Sequence, residues 1–236
     1  MDHFIRIYTA QADAYHQFIA AEDVEQNLLP GMQNIAGFDG VRVLDLGTGT
    51  GRIPLLLHGL AGQITGLDLY RDMLRVHQHQ RAQSAGNWVL VAGDMRVLPF
   101  PDASYDVVVA GWAIGHFTGW FPDTWQTEIG RVLDEMHRVV QQGGALIILE
   151  TLSTGSLPPA PPSPGLAAYY TWLENEWGFT RQEIQTDYQF ASVEEAIALT
   201  EFFFGPELSS AIRKNNWARL PEWTGLWGKR VSANRV

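Results

Sequence analysis

Short apolar segments alternate with longer amphipathic segments through the middle of the chain. The apolar segments are rich in β-branched residues and predict strands at residues 41–46, 63–69, 88–92, 105–110 and 145–150. The intervening segments predict helices at 53–59, 71–85 and 124–140, the last of them closed by Gly143-Gly144. Because several strands are apolar throughout, helices should cover both faces of the sheet. The pattern therefore predicts an α/β fold with a parallel sheet.

The pattern changes on either side of this core, which we place at residues 41–150. Residues 1–40 carry apolar side chains at helical spacing and predict an N-terminal helical cap. Residues 151–165 include a proline-rich stretch that neither helix nor central strand accepts, and we interpret them as a connector. Beyond it, the segment 166–236 predicts helices at 166–177, 193–204 and 207–215 and strands at 183–190 and 222–231. We interpret residues 1–236 as one domain.

Composition and charge exclude several classes of protein. With 46% hydrophobic and 18% charged residues, the chain has the composition of a soluble globular domain. A net charge of -10 disfavours a nucleic-acid partner. The absence of cysteine excludes disulfides, thiolate metal sites and a cysteine nucleophile. Since there is neither a leader pattern nor a run of 18 apolar residues, we expect a cytoplasmic protein with no membrane partner.

A glycine-rich loop follows the first predicted strand. It reads Gly47-x-Gly49-x-Gly51, and the missing side chains let a ligand approach the backbone and the helix N-terminus. The dinucleotide fingerprint GxGxxG is not matched, because Arg52 occupies the position of its third glycine. Asp45 before the loop would repel a pyrophosphate but attract the ammonium and sulfonium groups of a methyl donor. The alternative is a carboxylate that only caps loop amides.

Two more acids follow the next two predicted strands. Asp68 lies where Rossmann-like folds place the acid that binds two ribose hydroxyls, although an N-cap is the alternative role. Asp94 could accept a hydrogen bond from an adenine amino group while Met95 packs on the ring, or Asp94 could form a turn. Together with Asp45, these acids favour a cationic adenosyl cofactor.

Four segments in this order resemble one known family: VLDLGTGTG, GLDLYRDML, GDMRVLPFPDASYDVV and DEMHRVVQQGGALIILE. The family is the class I S-adenosylmethionine-dependent methyltransferases, especially the ubiquinone/menaquinone-biosynthesis-like group (methyltransferase type 11). The resemblance covers about residues 10–150. It implies a Rossmann-like three-layer sandwich whose seven-stranded, mostly parallel sheet has an antiparallel last strand. The segment 166–236 would supply the last two strands and the substrate side.

The resemblance also implies the ligands and the site. S-adenosylmethionine would be the cofactor, S-adenosylhomocysteine the product and a small molecule the methyl acceptor; we expect no metal. The glycine loop would contact the methionine moiety, Asp68 the ribose, and Leu69 and Met95 the two faces of the adenine. The predicted cofactor-binding residues are Tyr15, Asp45, Gly47, Thr48, Gly49, Gly51, Asp68, Leu69, Asp94, Met95, Gly111 and Trp112.

His116 is the candidate general base, because it follows the fourth strand at the carboxyl end of the sheet; a structural histidine is the alternative. His77 and His79 are interpreted as surface residues. Aromatic residues predict an apolar substrate pocket, unless they are ordinary core residues. The pocket residues are Trp112, His116, Phe117, Trp120, Tyr169 and Trp172.

The leading hypothesis is a small-molecule methyltransferase that works by in-line displacement onto an undetermined O, N or C atom. The alternatives are a non-catalytic binder of S-adenosylmethionine or S-adenosylhomocysteine and a NAD(P)-dependent Rossmann oxidoreductase. We expect a monomer or a homodimer.

Overall fold

The computed structural model describes residues 2–232 and has three layers, with helices on both faces of a central sheet. The helices are α1 His3–Ala10, α2 Ala12–Ile19, α3 Leu28–Gln33, α4 Arg52–Leu57, α5 Arg71–Gln83, α6 Phe117–Trp120, α7 Trp125–Val139, α8 Pro164–Asn175, α9 Val193–Phe204 and α10 Pro206–Asn215. The strands are β1 Arg42–Leu46, β2 Gln63–Asp68, β3 Val89–Ala92, β4 Tyr105–Gly111, β5 Val140–Thr154, β6 Thr180–Gln185, β7 Tyr188–Gln189, β8 Arg219–Leu220 and β9 Glu222–Arg230.

The central sheet has seven strands in the order β3-β2-β1-β4-β5-β9-β6, and β7 pairs with β8 in a separate two-stranded sheet. Strands β1 to β5 run parallel, whereas β9 is antiparallel to both of its neighbours, β5 and β6. The predicted fold class is confirmed, including the antiparallel last strand. Chain order reverses between β1 and β4, and open α/β sheets bind ligands in the crevice at such a point.

Burial explains why these segments form strands and helices. Along β4 and β5, Val108 to Ala110 and Ala145 to Leu149 are fully buried, as expected for strands covered on both faces. Helix α7 buries one stripe at intervals of three and four residues, which is the helical period. The stripe consists of Ile129, Val132, Leu133, Met136 and Val139.

The structure differs from the predicted boundaries around β5. Helix α7 ends at Val139, so Gly143 and Gly144 lie within the strand instead of capping the helix. They occupy an irregularity where the pairing with β4 shifts between Tyr105 and Val107. Gly143 has a φ of +78°, and a Cβ at Gly144 would lie 2.6 Å from the Asp106 carbonyl oxygen. The strand then continues to Thr154, into the segment predicted as a connector.

The prediction that His77 lies on the surface is wrong, because the side chain is buried. It belongs with Met73 and Val76 to the inward face of α5, at the spacing of one helical turn. The indole N–H of Trp88 donates to its Nε2 at 2.8 Å, and burial lowers its pKa to about 4. His79 is exposed, as predicted.

Helices α1 and α2 pack on α5, and α2 also packs on α9, which places the N-terminal segment beside the carboxyl ends of the parallel strands. Among residues 2–232, no helix is both long and apolar enough to cross a membrane.

Candidate active site

Two cavities adjoin at the carboxyl ends of the parallel strands. The glycine-loop cavity has a volume of about 540 Å³ and includes Gly47, Gly49 and Asp68 in its lining. The aromatic cavity has a volume of about 480 Å³, and its lining includes ten Phe, Tyr and Trp residues together with Asp2, Glu22, Arg52 and Glu150. Both volumes are typical of small-molecule sites. Six side chains border both cavities: Asp2, Tyr8, Tyr15, Trp112, His116 and Trp120.

The glycine loop presents backbone to its cavity. Gly47 and Gly49 line the cavity and have φ values of +66° and +54°, which glycine adopts at little cost. A Cβ on Gly47 would lie 2.4 Å from the Ala113 Cβ, so the loop and the segment after β4 approach more closely than a side chain allows.

Asp68 ties this loop to the end of β2. Its Oδ2 accepts the Gly49 N–H at 2.8 Å, and its Oδ1 accepts the Tyr70 N–H at 2.8 Å. Burial raises the pKa of Asp68 to about 6, and the hydrogen bonds from Tyr70 and Gly49 oppose that rise. Each carboxylate oxygen can accept more than one hydrogen bond, so the side chain can also bind a pair of hydroxyls from the cavity.

Three predicted cofactor-binding residues do not line this cavity: Asp45, Thr48 and Gly51. The Thr48 hydroxyl donates to Asp45 Oδ2 at 2.6 Å, and both residues are buried against β2. Burial raises the pKa of Asp45 to about 7. A Cβ at Gly51, whose φ is +102°, would lie 2.5 Å from the His77 ring. The structure therefore places these residues behind the loop, where they shape it.

The far end of the cavity combines apolar and acidic groups. Leu69 is 55% exposed and lines the cavity with Met95, which leaves apolar surface for a flat ring. Asp94 pairs with Arg96 at 2.6 Å, and this contact lowers the pKa of Asp94. Arg96 also pairs with Glu128 at 2.6 Å, so Asp94 is held ionised at the cavity edge.

The wall between the cavities is built on a strained residue. Trp112 follows β4 with a φ of +49°, although it is not glycine, and backbone of this kind concentrates at functional sites. Its N–H donates to the Leu149 carbonyl at 2.7 Å, and the Arg52 guanidinium lies 4.2 Å from the centre of its ring. Gly111, also predicted, lines the glycine-loop cavity.

His116 completes this wall. The Tyr8 hydroxyl and His116 Nε2 share a hydrogen bond of 2.8 Å, and the imidazole stacks on Trp120 with ring centres 5.0 Å apart. Burial lowers the pKa of His116 to about 4, so the ring is neutral near pH 7. The predicted base therefore lies between the two cavities as a neutral, hydrogen-bonded imidazole.

The predicted substrate pocket is only partly assembled. Trp112, His116 and Trp120 border both cavities, and Phe117 lines the glycine-loop cavity. Tyr169 and Trp172 line neither, because Tyr169 is fully buried in the core and Trp172 packs on Trp125. Their neighbour Tyr170 points instead toward the aromatic cavity, and its hydroxyl donates to the Thr151 carbonyl at 2.7 Å.

Polar residues of the aromatic cavity were missed by sequence reasoning. Arg52 pairs with Glu22 at 2.6 Å, although the two residues are 30 positions apart. Glu150 is 5% exposed, and its Oε1 accepts the Gly115 N–H at 2.7 Å. A signal for Glu150 was available, because a carboxylate that ends the apolar run 145–149 lies at the ligand-binding edge of the sheet.

Comparison with known proteins agrees with this geometry. Residues 44–148 match a protein family described as a methyltransferase domain. The matched region spans β1 to β5 and contains the glycine loop, Asp68, Asp94 and His116.

Relatives of this domain share only part of the chain. A malonyl-(acyl-carrier protein) O-methyltransferase from Pseudescherichia vulneris is 36% identical over 116 residues, which are 49% of this chain and 41% of that protein. A demethylmenaquinone methyltransferase from Geobacillus kaustophilus is also 36% identical over 116 residues, covering 48% of this chain and 46% of the relative. The chain thus spans less than half the length of these curated relatives.

The solved structure of a SAM-dependent methyltransferase from Aquifex aeolicus superposes with a TM-score of 0.57. It covers 90% of this chain and 92% of that chain at 14% identity. At such low identity the likeness shows a shared fold, which extends well beyond the region matched in sequence.

Proposed function

We propose that this chain is an S-adenosylmethionine-dependent methyltransferase that transfers a methyl group to a small-molecule acceptor. The single observation that carries the proposal is the junction of the two cavities. The glycine-loop cavity, which contains the Asp68 carboxylate, meets the separate aromatic cavity at Tyr8, Trp112 and His116. A donor and an acceptor bound in the two cavities would meet at that wall.

The residues of the glycine-loop cavity fit an adenosyl cofactor. The backbone of Gly47 and Gly49 is open to the methionine portion, and the buried Asp68 carboxylate suits a ribose diol. Leu69 and Met95 offer apolar surface to an adenine ring, and Asp94 lies beside them. Direct contacts from Asp45, Thr48 and Gly51 stay predictions.

In-line methyl transfer depends more on how the donor and the acceptor are positioned than on acid-base catalysis. S-adenosylmethionine supplies a methyl group on a sulfonium that departs as a neutral thioether, so no acid is needed. The chain's own task is to hold two ligands in line and keep water out, and orientation alone supplies roughly 7 to 11 kcal/mol in favourable cases. Tyr8, Tyr15 and Trp112 border both cavities and would perform this task.

His116 is our candidate for proton removal where the acceptor must lose a proton. With a pKa of about 4 it is unprotonated at neutral pH, yet it is a weak base. Its bond to Tyr8 fixes the ring, so the residue also positions the acceptor. We expect His116→Gln to lower kcat more than it weakens cofactor binding.

Labelled-methyl transfer tests the proposed activity. The protein is incubated with a metabolite extract and with methyl-labelled S-adenosylmethionine at a concentration near its wild-type Kd, and a labelled product should form with wild type and far more slowly with Asp68→Ala. Calorimetry with S-adenosylhomocysteine and with NADH is run in parallel. Binding of NADH alone would contradict the proposal. S-adenosylhomocysteine binding without any labelled product would instead indicate a non-catalytic binder.

The cytoplasmic location, the lack of a nucleic-acid partner, and the monomeric or homodimeric state stay predictions. Size-exclusion chromatography with light scattering would determine the last of these.

A further inference from the structure

The aromatic cavity contains more acid than base. Asp2, Glu22 and Glu150 line it, and the side chains of Glu22 and Glu150 are almost completely buried. Glu222, also buried, lies close enough to Glu22 for that acid to raise its pKa further. Among the described residues that line the cavity, Arg52 is the single lysine or arginine.

The positive charge of Arg52 is balanced by an ion pair with Glu22. Its Nη1 donates to Glu22 Oε2 at 2.6 Å, and its guanidinium lies over the Trp112 ring. The pair leaves Arg52 Nη2 and Glu22 Oε1 without hydrogen-bond partners. The ion pair is neutral overall, so it does not select for the charge of a ligand.

Glu150 lacks a counter-ion of this kind. The groups that face it are the phenols of Tyr8 on α1 and of Tyr169 and Tyr170 on α8, together with the neutral imidazole of His116. A backbone N–H from Gly115 donates to one of its oxygens, a contact that favours the ionised form. Without a cation beside it, burial raises the pKa of Glu150 to about 8.

The remaining walls of the cavity are aromatic faces. Rings from four segments of the chain surround the space: Tyr15, Phe18, Trp112, Trp120, Tyr170 and Phe203. Aromatic faces attract cations, and this attraction strengthens when water is excluded. An anion would meet the same rings together with the carboxyl groups of Asp2 and Glu150, so the cavity selects against it.

We propose that the methyl acceptor carries a basic nitrogen, which the aromatic cavity holds as a cation between the Glu150 carboxylate and the aromatic rings. This inference rests on the proposed function for the identity of the ligand as the acceptor. The inference specifies that the acceptor is positively charged, and it does not specify which atom accepts the methyl group.

Three probes of similar size test the inference: phenethylamine, 2-phenylethanol and 3-phenylpropionate. Each is titrated by calorimetry into the full chain saturated with S-adenosylhomocysteine, at pH 9, where Glu150 is ionised. We expect phenethylamine to bind at least about tenfold more tightly than the alcohol, and the propionate to bind most weakly. Equal or tighter binding of the alcohol or the propionate would overturn the inference.

Glu150→Gln keeps the shape of the side chain and removes its charge. We expect the preference for phenethylamine over the alcohol to fall to within about threefold in this variant. The exposed Glu176→Gln is the matched control and should keep the full preference. If the Glu150→Gln variant keeps the full preference for phenethylamine over the alcohol, Glu150 does not hold the cation and this part of the proposal is wrong.

Proton release provides a second measurement. At pH 7 most Glu150 is protonated in the free protein, so binding of phenethylamine should release up to one proton. Calorimetry in buffers of different ionisation enthalpy counts that proton, and Glu150→Gln should release none. Binding of S-adenosylhomocysteine without amine selectivity would refute this inference alone, whereas failure to bind S-adenosylhomocysteine would refute the proposed function.

Discussion

Replacing Asp68 by alanine removes a carboxylate that both orders the glycine loop and faces the glycine-loop cavity. Two bonds, from Gly49 and Tyr70, are lost within the protein, and two bonds to a ribose diol would be lost in the complex. Hydrogen bonds to a charged group are worth about 1.5 to 3 kcal/mol each. Because water can enter the emptied site, we take the lower value for the two ribose bonds, a loss of about 3 kcal/mol.

That loss corresponds to a roughly 150-fold weaker affinity for S-adenosylhomocysteine. It is measured by calorimetry at pH 8, where the carboxyl with a pKa of about 6 is ionised. Asp72→Ala, at an exposed position in the first turn of α5, is the matched control and should bind normally. Urea unfolding of both variants shows whether the loop change has affected the whole fold.

The pH dependence separates a direct role of Asp68 from a structural one. Wild-type affinity should fall as the pH drops through 6, because protonation removes the acceptor that the ribose needs. The Asp68→Ala variant should show no such decline. An affinity within about threefold of wild type at pH 8 would refute the ribose assignment.

Three further predictions concern stability, each measured by urea unfolding of the ligand-free protein. Gly51→Ala should cost about 2 to 4 kcal/mol, because its Cβ would strike His77, whereas Gly59→Ala, with a similar φ and free space, should cost about 1 kcal/mol. Equal losses would contradict the packing argument. Arg52→Met should cost about 3 to 5 kcal/mol, and adding Glu22→Gln should recover part of it; additive losses would contradict the buried pair. Finally, Asp68, Asp45 and Glu150 are buried and have pKa values of about 6, 7 and 8. In the folded protein they therefore keep protons that the same groups lose in the unfolded chain above about pH 4. Between pH 6.5 and pH 8, above the range in which the buried His77 and His116 oppose this trend, stability should therefore fall by at least about 1 kcal/mol, and a rise over that interval would contradict the sign.

The part of the site that could be predicted from the sequence depends on local order along the chain. A strand, a glycine loop and an acid at the end of the next strand place Gly47, Gly49 and Asp68 together, because parallel neighbours end at the same edge. The five strands predicted in the core and the antiparallel last strand were confirmed, whereas the strand predicted at 183–190 is divided between β6 and β7, which lie in different sheets. Helix phase was harder, as Tyr169 and Tyr170 show, since one residue of rotation exchanges the core for the cavity.

Contacts between distant segments could not be predicted. The Tyr8–His116 hydrogen bond joins residues 108 positions apart, and neither side chain indicates the other in a single sequence. His77 was misplaced because a histidine in a polar helix suggests solvent, whereas Trp88 and Gly51 provide a buried site for it. Such pairings become visible only after the chain has folded.

The two cavities also differ in where their residues come from, and this difference explains what the comparisons reveal. Most of the glycine-loop cavity lies within the matched residues 44–148, so similarity to the family indicates the cofactor. In the aromatic cavity, Glu22, Glu150 and Tyr170 lie outside that region. The match therefore covers the acceptor side only in part, and the identity of the acceptor has to be inferred from the charge and shape of its cavity instead of from the names of its relatives.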